Sequence, residues 1–318
     1  AVLGTYLFEN GDVLVNVEHV GTARLDACGR VVWKLPVGSH HSIHRAADGS
    51  FWIPGGRYDG PAETPGYPEG PPGITAPLDQ DLLLHVSEDG RLLEELNVLD
   101  LLYDNGLARL LFKASHLPPP AEARQGDVTH LNDVEPLDPG MAAEYPTFQP
   151  GDLVVSLRNP DLVFVVDPAS RQIRWSETRP FIGQHDPDWM GDGWIGVFDN
   201  NRDGTDRGTV LGGSRITAVQ PHSDSSRVLF PSKGSPRFYT KAVGQWQRLQ
   251  NGNLLLTESA AGRILEVTSD GRVVWEWIHE PNEDSLVPSV FEAHRYRLSG
   301  DEVATWPCSE GADAGETR

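Results

Sequence analysis

The sequence predicts an all-β protein built as a β-propeller of six four-stranded antiparallel blades, with a five-bladed ring as the alternative. Three observations predict it. A turn, a short strand and a tryptophan recur as a unit in GRVVWKL (Gly29–Leu35), SRQIRWSE (Ser170–Glu177) and GRVVWEWI (Gly271–Ile278), and GRLLEEL (Gly90–Leu96) has the same shape without the tryptophan. Glycine turns leading into β-rich runs precede these units: GDVLVNV, GSFWIPG, GDLVVSL, GWIGVFD and GNLLLTE. Period-two alternation runs nearly throughout, and only Leu101–Ala114 reads as a helix.

Between the two sets sit TARLD, LLLHVSEDG, LVFVVDP, RITAVQP and RILEVTSDG, and a fourth strand opens most units, as in SIHRA, LNDVEPL, PDWM and WQRL. Four short strands in roughly 45–50 residues is blade spacing. Blade one then covers 5–37, blade two 41–98, blade three 130–178, blade four 185–232 and blade five 245–279. A sixth begins at FEAHRYRLSGDEVAT (Phe291–Thr305), its outer strands expected from elsewhere. Trp33, Trp175 and Trp275 are expected at equivalent blade positions. Residues 1–318 read as a single propeller domain with insertions at 55–77, 99–127 and 199–214. Long loops in compact domains commonly carry function, and all three are expected on the channel-mouth face.

Polar residues open the blades: His40, His41 and His44 in blade two, His130 and Asn132 in blade three, His185 in blade four and His294 in blade six. Blade five instead opens with Gln245 and Trp246. First strands line the channel of a propeller, so these residues are expected at its mouth. His19, His85, His222 and His279 fall elsewhere in their blades and read as structural or solvated. Arg57, Arg158 and Arg215 lie at strand ends expected on the mouth face, with Asn200 one strand after His185. Arginine's planar fork suits sulfate, phosphate or carboxylate. His185 reads as a working channel residue, so its loss is expected to abolish activity with little effect on stability.

Composition bounds the partners. With 26 Lys and Arg against 46 Asp and Glu, the net charge is −20, which argues against nucleic acid and anionic membranes. An anionic ligand would need a local basic patch working against that field. No run of 18 apolar residues exists to span a bilayer. Cys28 and Cys308 are the only cysteines; a zinc scaffold is excluded, and one disulfide between the two chain ends is a candidate that fits an oxidising compartment. DNNRDGTD (Asp199–Asp206) spaces Asp199, Asn201 and Asp203 like the first half of a calcium loop, but Val210 stands at the twelfth position where an acid is expected. A local Asx turn is the alternative there.

The phrases HLNDVEPL, GDLVVSLRNPDLVFVVDPASRQIRW, GQHDPDWMGDGWIGVFDN, GSRI and GQWQRLQNGNLLLTESAAGRILEVTSDGRVVWEW resemble the bacterial arylsulfotransferases and their relatives, closely over 128–280 and loosely elsewhere. Single phrases also look like the quinoprotein dehydrogenases. The resemblance implies a periplasmic six-bladed propeller that moves a sulfuryl group between phenols through a sulfated histidine. It implies no cofactor. It makes His130 and His185 channel histidines and Arg215 the anion-binding arginine. The sequence departs from the family where the sulfated histidine is expected, near Gln245, which leaves His294 or His185 as nucleophile or a different chemistry.

Three functions stand open. The first is phenol sulfotransfer, with Arg215 and Arg158 on the equatorial oxygens and a second histidine moving the proton. The second is a metal-dependent lyase or oxidoreductase, with His44, His130, His185 and His294 converging on a transition metal and Gln245 as an oxygen ligand. The third is a non-catalytic protein that captures a small anionic ligand.

Overall fold

The computed structural model describes residues 1–112 and 126–308. The described chain forms five four-stranded antiparallel sheets, each from consecutive strands. Blade one is β1 (Val2–Leu7), β2 (Val13–Val17), β3 (Gly21–Leu25) and β4 (Val31–Leu35). Blade two is β5 (His44–Arg45), β6 (Phe51–Gly60), β7 (Leu78–Val86) and β8 (Leu92–Asn97), followed by helix α1 (Val98–Asp104). Blade three is β9 (Leu131–Pro136), β10 (Leu153–Leu157), β11 (Leu162–Asp167) and β12 (Gln172–Glu177). Blade four is β13 (His185–Gly191), β14 (Trp194–Asp199), β15 (Arg215–Gln220) and β16 (Ser225–Phe230). Blade five is β17 (Gln245–Arg248), β18 (Leu254–Glu258), β19 (Arg263–Val267) and β20 (Val273–Ile278).

The repeat has a structural counterpart. Trp33, Trp175 and Trp275 lie on β4, β12 and β20, opposite Arg24, Val165 and Glu266, and in each pair the register slips directly after that residue. The slip is a bulge next to the outer turn, whose left-handed residue is Gly29, Arg171 or Gly271. The helix expected over Leu101–Ala114 begins earlier, at Val98, where Asn97 caps it by accepting from the Leu99 and Asp100 amides. A short 3-10 turn at Ala108–Phe112 follows, and the remainder of that helix, with 113–125 of the insertion at 99–127, lies outside the described residues.

Six blades were expected, and five are present among the described residues. Phe291–Thr305 forms no strand; it is extended chain followed by a short helix at Gly300–Ala304. The reason lies in the cores. Four apolar clusters fill the interfaces between successive blades, from Phe8, Leu14 and Phe51 between blades one and two to Phe198, Trp246 and Leu256 between blades four and five. Among the described residues no such cluster joins blade five to blade one.

The C-terminal segment takes that place with polar contacts. Gln245 Oε1 accepts from the Ala293 amide and Gln247 Oε1 from the Arg295 amide, while Glu292 accepts from the Thr5 amide. Trp306 lies over Gly11 and donates to the Glu9 carbonyl. Cys28 and Cys308 are bonded, with Cα atoms 5.3 Å apart, so the segment is tied covalently to blade one.

Candidate functional site

Inter-blade hydrogen bonds set the inner strands. Asn16, on β2, donates from Nδ2 to the carbonyls of His41 and Ser42 at 2.9 and 3.2 Å, which fixes the entry to blade two. Gly4 packs against the same His41 carbonyl so closely that a Cβ would collide with backbone. Asn200 does the equivalent for blade five, donating to the carbonyls of Thr240 and Val243. Arg158 and Asn159, at the end of β10, fold back on the entry to their own blade: the Arg158 amide donates to the His130 carbonyl and Asn159 Nδ2 to the Asp127 carbonyl.

These staples bring five imidazoles together. Ring centroids separate His41 from His40, His130 and His185 by 5.0, 5.6 and 5.8 Å, and His19 lies 6.2 Å from His40. His19, His41 and His130 have φ of 60°, 56° and 50°. Left-handed backbone in a non-glycine residue costs on the order of 1–3 kcal/mol and clusters at functional sites.

The rings border a cavity of about 210 Å³ whose wall also includes Tyr58, Phe291 and Arg158. A second chamber of about 30 Å³, room for one or two waters, shares His41, His185 and Phe291 with it and adds Asn132, Asp186 and Gln245.

Each imidazole has its own orientation. His130 Nδ1 lies 2.7 Å from Asp127 Oδ2. Asp127 is an acceptor there, so the proton sits on Nδ1 and the Nε2 lone pair is left without a hydrogen bond among the described residues. His40 and His41 meet Nδ1 to Nδ1 at 2.7 Å, and His40 Nε2 lies 3.7 Å from Asp81 Oδ1. Asp81 is itself held through Oδ2 by the Thr129 hydroxyl and the Leu131 amide.

Burial holds His41, His130 and His185 below the ordinary imidazole range, reinforced at His41 by His40 and at His185 by Arg158. At His130 the Asp127 hydrogen bond works against that lowering. Burial alone would raise Asp127, but the His130 hydrogen bond and the charge of Arg158 bring it below the usual carboxylate range. Near neutral pH these rings are therefore neutral.

His185 does not behave as the sequence suggested. It is 2% exposed, and both ring nitrogens are engaged. Nδ1 donates to Asn200 Oδ1 at 2.7 Å, and Nε2 accepts from the Val243 amide at 3.2 Å. It pins blade four to blade five. His185→Ala is expected to cost about 1–3 kcal/mol by leaving buried partners unpaired, read as a lower urea midpoint; an unchanged midpoint would return the residue to a wet, non-structural role.

The other expected residues divide. Arg158 borders the cavity; Arg57 and Arg215 do not. Arg57 is exposed and pairs with Glu95 at 2.6 Å, and Arg215 is held by Asp199 at 2.7 Å and the Pro180 carbonyl at 2.9 Å. Trp246 is core: its amide and indole N–H both donate to Asp186, as those of Trp189 do to Glu135 one blade earlier. Asn132 Nδ2 donates to the Gln184 carbonyl at 2.7 Å, and its buried Oδ1 has no partner in the small chamber.

His44 and His294 are drawn away from the cavity. His44 Nε2 lies 3.0 Å from Asp133 and its Nδ1 4.0 Å from Glu135. Burial opposes its charge, yet Asp133 and Glu135 raise it to about 10. Glu135 is itself pushed up to about 7, by burial first. His294 contacts Glu292 and Gln245. The four histidines expected to share a metal are thus not gathered, and among the described residues no three His, Cys, Asp or Glu side chains are grouped as a metal site.

The calcium-like loop is committed to its own backbone. Asp203 accepts from the amides of Thr205, Val210 and Leu211, Asn201 donates to the Leu211 and Gly213 carbonyls, and Asp199 accepts from the Ile182 and Asn201 amides.

A family model described as arylsulfotransferase (ASST) matches residues 5–280. The chain belongs to that family. No curated protein matches it. Among solved structures it is similar to a protein of unknown function from Bacteroides caccae, at 13% identity and TM-score 0.54, covering 86% of this chain and 80% of that one. It is also similar to a nidogen/laminin complex chain, at 10% identity and TM-score 0.49, covering 90% and 82%. A third is virginiamycin B lyase from Staphylococcus aureus, at 12% identity and TM-score 0.45, covering 89% and 71%. At such identities the likeness is one of fold alone.

Within this arylsulfotransferase-family chain, sequence reasoning missed three cavity residues, His19, Asp81 and Asp127. His19 was read as structural or solvated, yet it lies in the wall, edge-on to Tyr58 at 4.1 Å. His40, expected at the mouth with His41, does border the cavity beside it. Asp81 and Asp127 carried no signal, because each is one acid among 46. Four carboxylates, Glu18, Asp79, Asp81 and Asp127, border the cavity with one guanidinium. The basic patch expected from the charge contrast is therefore not what the structure shows: acidic groups outnumber basic ones in the described wall, and Arg158 is its one guanidinium.

Proposed function

We propose that the protein transfers a sulfuryl group from an aryl sulfate to a phenol, with His130 as the group that carries it. The observation that supports this most is the His130–Asp127 pair at 2.7 Å, which orients a neutral ring with Nε2 unbonded in a cavity beside Arg158. Membership of the arylsulfotransferase family supports the same reading.

In the donor half-reaction, the Nε2 lone pair attacks sulfur, an N–S bond forms and the S–O bond to the aryl group breaks. The electron pair leaves on the phenoxide oxygen. In the acceptor half-reaction, a phenol oxygen attacks the same sulfur and the N–S pair returns to His130. Arg158 offsets charge on the non-bridging oxygens, and Asp127 stabilises the positive ring of the sulfated state. Tyr58 and Phe291 offer aromatic wall to the aryl group. No step calls for a cofactor. The Cys28–Cys308 bond supports an oxidising, extracytoplasmic setting.

The test is incubation with an aryl sulfate and no acceptor, followed by peptide mass analysis. A peptide containing His130 is expected to gain one SO₃ unit and to lose it when phenol is added. Tight sulfate binding with no adduct and no phenol release would favour the ligand-capture reading instead.

A further inference from the structure

The transfer reading leaves a proton unassigned. The departing phenoxide must gain one and the attacking phenol must lose one, while the Nδ1 proton of His130 is held by Asp127. A second carboxylate–imidazole arm stands across the same cavity. Asp81 Oδ1 lies 3.7 Å from His40 Nε2, and His40 Nδ1 lies 2.7 Å from His41 Nδ1. His41 stands between His130 and His185, with ring centroids 5.6 and 5.8 Å away.

Two imidazole nitrogens at 2.7 Å must share one proton, because two lone pairs or two N–H groups facing each other would repel. The arm is also buried: His40, Asp81 and Thr129 are 5%, 4% and 0% exposed, so a charge placed there is not dispersed by water.

We propose that Asp81, His40 and His41 form a proton-storing relay for the reaction at His130, with His41 as the catalytic acid and base, His40 as the proton carrier and Asp81 as the positioning residue. The proposal rests on the transfer reading for its substrate, and on the three-residue geometry for the relay itself.

The protons balance as follows. In the empty state both imidazoles are neutral: His40 Nε2–H faces Asp81, His41 Nδ1–H donates to His40 Nδ1, and His41 Nε2 is a lone pair. A phenol that attacks the sulfated His130 gives its proton to His41 Nε2. His41 passes its Nδ1 proton to His40. The arm is then loaded: imidazolium on His40 beside the Asp81 carboxylate, and a neutral His41 that presents Nε2–H. The next aryl sulfate reverses the path. Its phenoxide takes the Nε2 proton, and His40 returns one to His41 Nδ1. Each full cycle is proton-neutral.

The charge rests on His40 because Asp81 is there, whereas His41 faces the groups that disfavour charge, namely His130, His185 and Arg158. That agrees with the lowered proton affinity of His41. Around His40 the other titratable neighbours include His19, Tyr58 and His130, at ring distances of 6.2, 6.1 and 6.4 Å, and the Asp127 carboxylate, which also favours charge on His40.

The experiment compares donors whose leaving groups differ in their need for a proton. Wild type, His40→Gln and Asp81→Asn are assayed with 4-nitrophenyl sulfate and with phenyl sulfate. Loss of general acid catalysis is worth about 10²–10⁴-fold. Both variants are expected to lose about a hundredfold on phenyl sulfate and less than about tenfold on 4-nitrophenyl sulfate, whose phenoxide leaves unprotonated. Equal losses on both donors, or none, would overturn the relay.

Imidazole ¹⁵N spectra supply a readout that needs no turnover. On acidification, His40 is expected to gain its proton before His41, and Asp81→Asn is expected to lower the pH at which it does so. His41 charging first, or a His40 titration indifferent to Asp81→Asn, overturns the proposal even if aryl sulfates prove not to be substrates. Failure of the wild type on every aryl sulfate, with the His40 titration as expected, rejects the transfer chemistry and keeps the relay.

Discussion

His130→Asn is expected to lower aryl sulfate turnover by about 10³-fold or more, the scale on which removal of a covalent nucleophile acts, and to abolish the SO₃ adduct. Asparagine is the informative replacement. His130 has φ of 50°, a region that asparagine enters more readily than most residues, so the backbone that carries the ring is preserved. The Arg158 amide bond to the His130 carbonyl, at 3.0 Å, does not depend on the side chain. Sulfate binding measured by calorimetry is therefore expected to persist while chemistry is lost. Turnover within about tenfold of the parent would move the nucleophile to another ring, and His41, whose Nε2 is the base of the relay, would be the first to examine.

The second large effect is expected from the double substitution Cys28→Ser and Cys308→Ser. The bond spans 280 residues of sequence, and a cross-link over so long a loop restricts the unfolded chain strongly, worth about 3–5 kcal/mol. For a chain of this size that is a fall of about 5–15 °C in Tm. The site is expected to respond as well. The segment that the disulfide anchors supplies Phe291 to both chambers and Glu292 to the small one, and between blades five and one it stands where the other interfaces have an apolar cluster. Limited proteolysis within 287–308 is expected to accelerate in the variant and sulfate affinity to drop. A Tm within about one degree of the parent, with unchanged proteolysis, would show that the polar contacts of Gln245, Gln247 and Glu292 close the ring unaided.

How much of this was legible before folding differs sharply between the blades and the cavity. Strand positions follow from local chemistry: a glycine turn, a run of alternating apolar residues, a tryptophan at the outer bulge. Each signal lies within about ten residues of the strand it defines, and the period of two holds whatever the neighbours are. Trp33, Trp175 and Trp275 accordingly fall in register. Blade number is not local. Phe291–Thr305 has the composition of an opening strand, but a strand needs a partner to hydrogen-bond, and the chain after it forms none among the described residues.

The sequence by itself determined the propeller architecture, the two cysteines that become bonded and the blade entries at which His41, His130 and His185 converge. Tertiary structure alone decided which of those rings keeps a nitrogen without a hydrogen bond among the described residues. Arg215 and Arg158 look alike as strand-end arginines, yet one is held by Asp199 away from the cavity and the other, paired with Asp127, borders it. His185 and His130 look alike as blade-opening histidines, yet His185 spends one nitrogen on Asn200 of its own blade and the other on the entry to blade five, while His130 keeps a lone pair. The physical reason is that a side chain's chemistry is set by what its last donor or acceptor meets. Those partners, Asn200 and Val243 for one and Asp127 for the other, are chosen by the packing of whole blades and by no pattern in the residue's own strand.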